Sequence, residues 1–110
     1  MRLELTGRHV EITPALRRLV DRRLIRLERL MNDNMVSAQV VLTREKYRDH
    51  VEVTLHARGE KFLHGVGSAT TWPTALSEAS DKISQQARRV KGKWQARKRD
   101  ARRVPGDPDT

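Results

Sequence analysis

Residues 72–103 constrain this chain more than any other stretch, because they read as one long helix with two chemically different halves. Trp72, Leu76, Ala79, Ile83, Ala87, Val90 and Trp94 recur at spacings of three and four, which places them on a single stripe of a 3.6-residue helix. Such a stripe needs a partner surface. From Arg88 onward the same helix carries Arg88, Arg89, Lys91, Lys93, Arg97, Lys98, Arg99, Arg102 and Arg103 against one acid, Asp100. A block of like charge can be a solvated helix end. The sharper reading is that the excess cations meet the phosphates of a nucleic acid.

A chain of 110 residues with 36% hydrophobic content fits one small core, so a single domain over residues 1–95 is expected. Residues 96–110 then form a flexible tail, basic at first and rich in Pro and Asp at its end. The net charge of +9 and a pI near 11.0 exceed what solubility needs and point to an acidic partner. An anionic membrane is the other candidate. It would call for an apolar run long enough to span, or a basic helix with large aromatics opposite its charges. Aromatics make up 4% of the chain, and its longest strongly apolar run is Val40-Val41-Leu42. No membrane partner is therefore expected. The first residues, Met1-Arg2-Leu3-Glu4-Leu5, lack the apolar segment of a signal peptide, and the chain has no cysteine. Both features suit a cytoplasmic protein.

Taken in order, Leu3 and Leu5 alternate with polar neighbours as in a strand with one buried face, which Gly7 is expected to end. Thr13-Pro14 is a helix start, since the hydroxyl can accept a first-turn N–H and proline lacks a donor that would be orphaned there. The helix predicted from Pro14 to Met31 puts Leu16, Leu19, Val20, Leu24, Leu27, Leu30 and Met31 on one broad face. Arg18, Arg22, Arg26 and Arg29 stack on the opposite face. Arg23 projects from the middle of the apolar arc, where an unpaired charge is costly. Its stem can lie along the core with the guanidinium at an edge or cleft, either paired with an acid such as Glu28 or free to act. Arg17 sits at the other boundary of that face, so both arginines could line a groove beside the helix.

Asn32-Asp33-Asn34 is turn chemistry. Val36, Ala38, Val40 and Leu42 share a parity and predict a second strand to Thr43, followed by a polar connection from Arg44 to Asp49. Val51, Val53, Leu55 and Ala57 predict a third strand with one wet face, and Arg58-Gly59-Glu60 a tight hairpin. The fourth strand, Phe62 to Ser68, is weakened by Gly65 and Gly67, which mark a bulge or a closely packed helix. Pro73 lies in the first turn of the long helix, and Gly92 is expected to soften it. Strand, helix, three strands and helix make an α+β domain with two helices on one face of an antiparallel sheet.

No catalytic or cofactor signature emerges. His9, His50, His56 and His64 are scattered, although His56 and His64 could face each other across the hairpin. Gly65-Val66-Gly67 lacks the remaining spacing of a dinucleotide loop, and no Walker sequence is present. Glu45, Asp49 and Glu52 are close enough in sequence for a magnesium-dependent nuclease, but surface acids on a basic protein more often balance neighbouring cations. The chain is expected to be no enzyme and to use no metal, cofactor or small-molecule substrate.

Leu5-Thr6-Gly7, Val10 to Arg17 and Arg26-Leu27-Glu28 together resemble the bacterial ribosome hibernation-promoting factors, also called ribosome-associated inhibitor or YfiA-like proteins. Val40-Val41-Leu42, Thr54-Leu55-His56 and Asp81-Lys82-Ile83 with Gln86, Arg89, Lys91 and Lys93 extend the likeness to about Arg99. The resemblance implies a two-layer β-α-β-β-β-α fold, with two parallel helices on a four-stranded sheet, similar to a double-stranded-RNA-binding domain with an added first strand. It implies binding to the small ribosomal subunit and its 16S rRNA, and to the assembled ribosome, in the channel used by messenger and transfer RNA. Translation would then be held inactive during stress or stationary phase. The basic positions that match the family pattern are Arg17, Arg23, Arg26, Lys82, Arg89, Lys91 and Lys93, which moves Arg17 and Arg23 toward the functional reading. Arg88, from the basic run, completes the expected rRNA-binding set.

Two departures stand out. Where the family usually has an Asp-Met-Tyr type segment this chain has Thr71-Trp72-Pro73, and Gln85 stands where many relatives carry a basic residue. The chain looks like a short form without a carboxy-terminal dimerisation domain, expected to be monomeric when free. A general RNA- or DNA-binding regulator without ribosome specificity is the alternative.

Overall fold

The computed structural model describes residues 2–32 and 34–102, with side chains described as far as residue 89. The elements are β1 (Arg2–Arg8), α1 (Pro14–Leu30), β2 (Met35–Glu45), β3 (Arg48–Ala57), β4 (Lys61–Ala69) and α2 (Trp72–Arg102). One four-stranded sheet has the order β1-β2-β3-β4. The expected α+β class and the β-α-β-β-β-α order are both present.

The sheet is mixed, which corrects the expectation of an antiparallel one. β1 runs parallel to β2, while β2–β3 and β3–β4 are antiparallel. Parallel neighbours cannot be joined by a hairpin, so α1 serves as the crossover and must run back along the sheet. On β4, Gly67 lies against Ala75 of α2 and Gly65 against Ala79, so α2 also runs opposite to the strand it follows. The two helices are therefore parallel.

Local chemistry explains the ends of α1. Thr13 Oγ1 accepts the Leu16 backbone N–H at 3.2 Å and Pro14 opens the helix. Leu16, Val20, Leu24, Leu27 and Met31 are buried, as their spacing requires. They meet Val40, Leu42, Val51, Val53 and Leu55 from the sheet and Leu76, Ala79, Ile83 and Ala87 from α2 in one continuous core. Trp72 packs partly buried against that core. Val90 and Trp94, the last members of the predicted stripe, lie outside the described side chains, and Asp33 and the Pro105–Pro108 tail lie outside the described residues.

Three local expectations are revised. Gly7 does not end β1: the strand continues to Arg8, with Gly7 opposite Leu42. Its glycine is required for space, since a Cβ there would come within 2.6 Å of the Val10 carbonyl oxygen as the chain folds back. Val36 is 45% exposed and Met35 is buried in its stead. A register shift between Met35 and Ser37 inserts an extra residue and reverses the parity at the start of the strand only, Ala38, Val40 and Leu42 being buried as read. The expected connection from Arg44 to Asp49 is mostly strand, because Arg44 pairs across to Asp49 and Glu45 to Arg48, leaving Lys46 and Tyr47 as the turn. The Arg44–Asp49 ion pair, with Arg48 donating to the Ser68 hydroxyl and carbonyl, holds together strand ends that carry no apolar pattern. The helix α2 runs through Gly92 to Arg102.

Gly65 and Gly67 mark a close helix. A Cβ on Gly65 would overlap the Ala79 carbonyl oxygen, and one on Gly67 would overlap that of Ala75. The hairpin at Arg58-Gly59-Glu60 forms as expected, with Gly59 at φ 80° and Glu60 at φ 59°.

Candidate nucleic-acid interface

Helix packing decides where the expected cations point. The core arc of α1 turns its back to solvent, so Arg17, Arg18, Arg22, Arg26 and Arg29 are exposed, while Arg23 is half-buried. On α2, Lys82, Arg88 and Arg89 are exposed. Lys91 and Lys93 fall on the α2 backbone but outside the described side chains.

Arg23 and Arg26 come together in the groove between the helices. They line a cleft of about 150 Å³ with Leu27 from α1 and with Ser80, Asp81 and Ser84 from α2. Two guanidinium groups thus share a cleft with one carboxylate. Neither has a hydrogen-bond or ion-pair partner among the described residues, so their donors remain available. The guanidinium is a planar fork suited to bidentate contact with phosphate oxygens. Arg88 lies one turn beyond Ser84 and continues the same flank of α2. Arg17 is exposed nearer the start of α1 and is not part of the cleft.

Lys82 is placed differently. Its Nζ donates to the Val66 carbonyl of β4 at 2.6 Å. Gln86, one turn on, donates through Nε2 to the His64 carbonyl at 2.7 Å and accepts the His64 N–H at 3.1 Å. Glu78, one turn before, accepts the Ser68 N–H at 3.3 Å. This flank of α2 is committed to the free edge of β4, and Arg89 follows it two turns after Lys82. The expected set is therefore split between two flanks of α2. Gln86 and Lys82 stood out in the sequence only through the family likeness, and their strand-capping role needed the position of β4.

Trp72, at the unusual start of α2, lies under the Arg44 guanidinium, 5.4 Å from its ring centroid. The Nε of Arg44 donates to Asp49 Oδ1 at 3.0 Å, and Asp49 is buried. Asp49, one of the three acids considered for a metal, thus has a structural partner. Asp49 shares the core-side parity of Val51, whereas Glu52 lies on the opposite sheet face with His64, 3.9 Å away. The histidine pairing is also revised: Thr54 is opposite His64, and His56 is opposite Phe62.

A two-layer β-α-β-β-β-α body with exposed cations on its helical layer is a small α+β domain. Residues 3–95 match the family model described as sigma 54 modulation protein / S30EA ribosomal protein. The chain belongs to that family. It is 31% identical over 86 residues to a ribosome hibernation promoting factor of Azotobacter vinelandii, covering 78% of each chain. It is 33% identical to the ribosome hibernation promoting factor of Escherichia coli K12, over 84% of this chain and 96% of that one. The crystal structure of the N-terminal domain of Protein Y from Thermus thermophilus superposes with a TM-score of 0.73 at 27% identity, covering 82% of this chain and 99% of that one.

Proposed function

We propose that this protein is a ribosome-binding hibernation factor. It occupies the messenger and transfer RNA channel of the small subunit, holds 16S rRNA through its basic helices, and inhibits translation by occlusion. The observation that carries this reading is its likeness to hibernation promoting factors, one of which it spans almost completely. The exposed cations on α1 and α2 support the mode of binding. Phosphate contacts supply affinity, and the choice of the ribosome follows from shape matched across several rRNA strands. Free protein is monomeric, acts in the cytoplasm where ribosomes are, and performs no covalent chemistry.

Sedimentation of the purified protein with small subunits and whole ribosomes through a sucrose gradient tests this. Binding is expected at low salt, and Arg23→Gln/Arg26→Gln is expected to release the protein while its thermal unfolding stays unchanged. Absence of cosedimentation in low-salt buffer, where ionic attraction is strongest, would overturn the reading.

A further inference from the structure

The face of the sheet turned away from the helices carries a feature that the helical interface leaves unused. Cross-strand register places Arg2, Ser37, His56 and Phe62 in one row across β1, β2, β3 and β4. Phe62, the only phenylalanine of the chain, is 65% exposed. Its ring stacks on His56 with centroids 4.7 Å apart and planes 10° from parallel. That separation equals the usual distance between neighbouring strands, about 4.8 Å, so the two rings stand side by side on adjacent strands. The next position in the row is the short side chain of Ser37, and beyond it is the exposed Arg2. A cleft of about 420 Å³ opens there, with Gln39 and Thr54 beside it in the neighbouring row.

The row is thus a stack with one place left open. A flat ring inserted over Ser37 would lie one strand spacing from His56 and one from the Arg2 guanidinium, continuing the stack Phe62–His56 toward a cation. Gln39 and Thr54 can donate to or accept from its edge. An exposed aromatic stack flanked by arginine and by amide and hydroxyl groups is the chemistry that holds unpaired bases. Glu4 on β1 also borders the cleft and disfavours phosphate on its side, so the backbone would run past Arg2. We infer that the slot over Ser37 holds a single unpaired RNA base, giving this protein a second RNA contact on the layer opposite its basic helices.

The test is a titration of the full chain with single-stranded hexa-adenylate, followed by NMR and by anisotropy of a labelled strand, with AMP as a separate arm. Signals of Ser37, Thr54, His56 and Phe62 are expected to shift on addition of the RNA. The Kd should weaken about tenfold or more in Ser37→Phe, which fills the slot while keeping both rings, and in Phe62→Ala, which removes the exposed half of the stack. In Arg23→Gln/Arg26→Gln the shifts at Ser37 and His56 should persist even as overall affinity falls. Shifts confined to the helices, unchanged binding by Ser37→Phe, or AMP binding as tightly as the hexanucleotide would each overturn the inference. No ribosome enters this experiment, so its failure is separate from any failure of the proposed function.

Discussion

Arg44, Asp49 and Trp72 show how one residue can hold three elements. Asp49 is buried at the end of β3, Arg44 reaches it from β2, and the same guanidinium covers the ring that opens α2. Arg44→Ala leaves a buried carboxylate without its charged partner. Because half of the arginine side chain is exposed, water screens part of the loss, and a decrease of about 1–2 kcal/mol in unfolding free energy is expected by urea titration. The glycines of β4 follow a steric logic instead. Gly67→Ala would drive a methyl group into the backbone of α2 at Ala75, which cannot yield as a flexible side chain can. A loss of about 2 kcal/mol or more is expected in the same titration, with Gly65→Ala behaving alike.

At the scale of elements, α2 does more than cover the core. Glu78, Lys82 and Gln86 stand four residues apart and bind outward-facing backbone groups of Ser68, Val66 and His64 on β4. The amide of Gln86 both donates to and accepts from His64, as a neighbouring strand would. A free edge is a template for pairing with another chain, and these side chains block it. Gln86→Ala should lower stability by about 1–2 kcal/mol through the two lost hydrogen bonds. It should also increase self-association, read by sedimentation velocity at rising protein concentration. Lys82→Met is expected to act mainly on stability, measured by urea titration, because its ammonium is already engaged within the molecule.

For the whole molecule, two faces of opposite character follow from the two layers. If about six to eight phosphates are engaged through the helical layer, the logarithm of ribosome affinity should fall with the logarithm of salt at a slope of several units. Neutralising Arg23 and Arg26 together should flatten that slope by about two. Sedimentation binding curves at several potassium concentrations measure both.

The order of elements, the core arc of α1, that of α2 as far as Ala87, and the cations along the outer face of α1 were legible from sequence. Each is a matter of spacing along one segment, and the 3.6 and 2.0 periods need no knowledge of neighbours. The rest required contacts between distant segments. The bulge that buries Met35 and exposes Val36, the parallel pairing of β1, and the strand ends held by Arg44 and Asp49 depend on a partner strand that local periodicity does not name. Lys82 and Arg23 both match the family's basic pattern, but only Arg23 was expected to line a groove. One became a clasp on β4 and the other entered a groove between α1 and α2, because a side chain's task is set by what the fold brings opposite it.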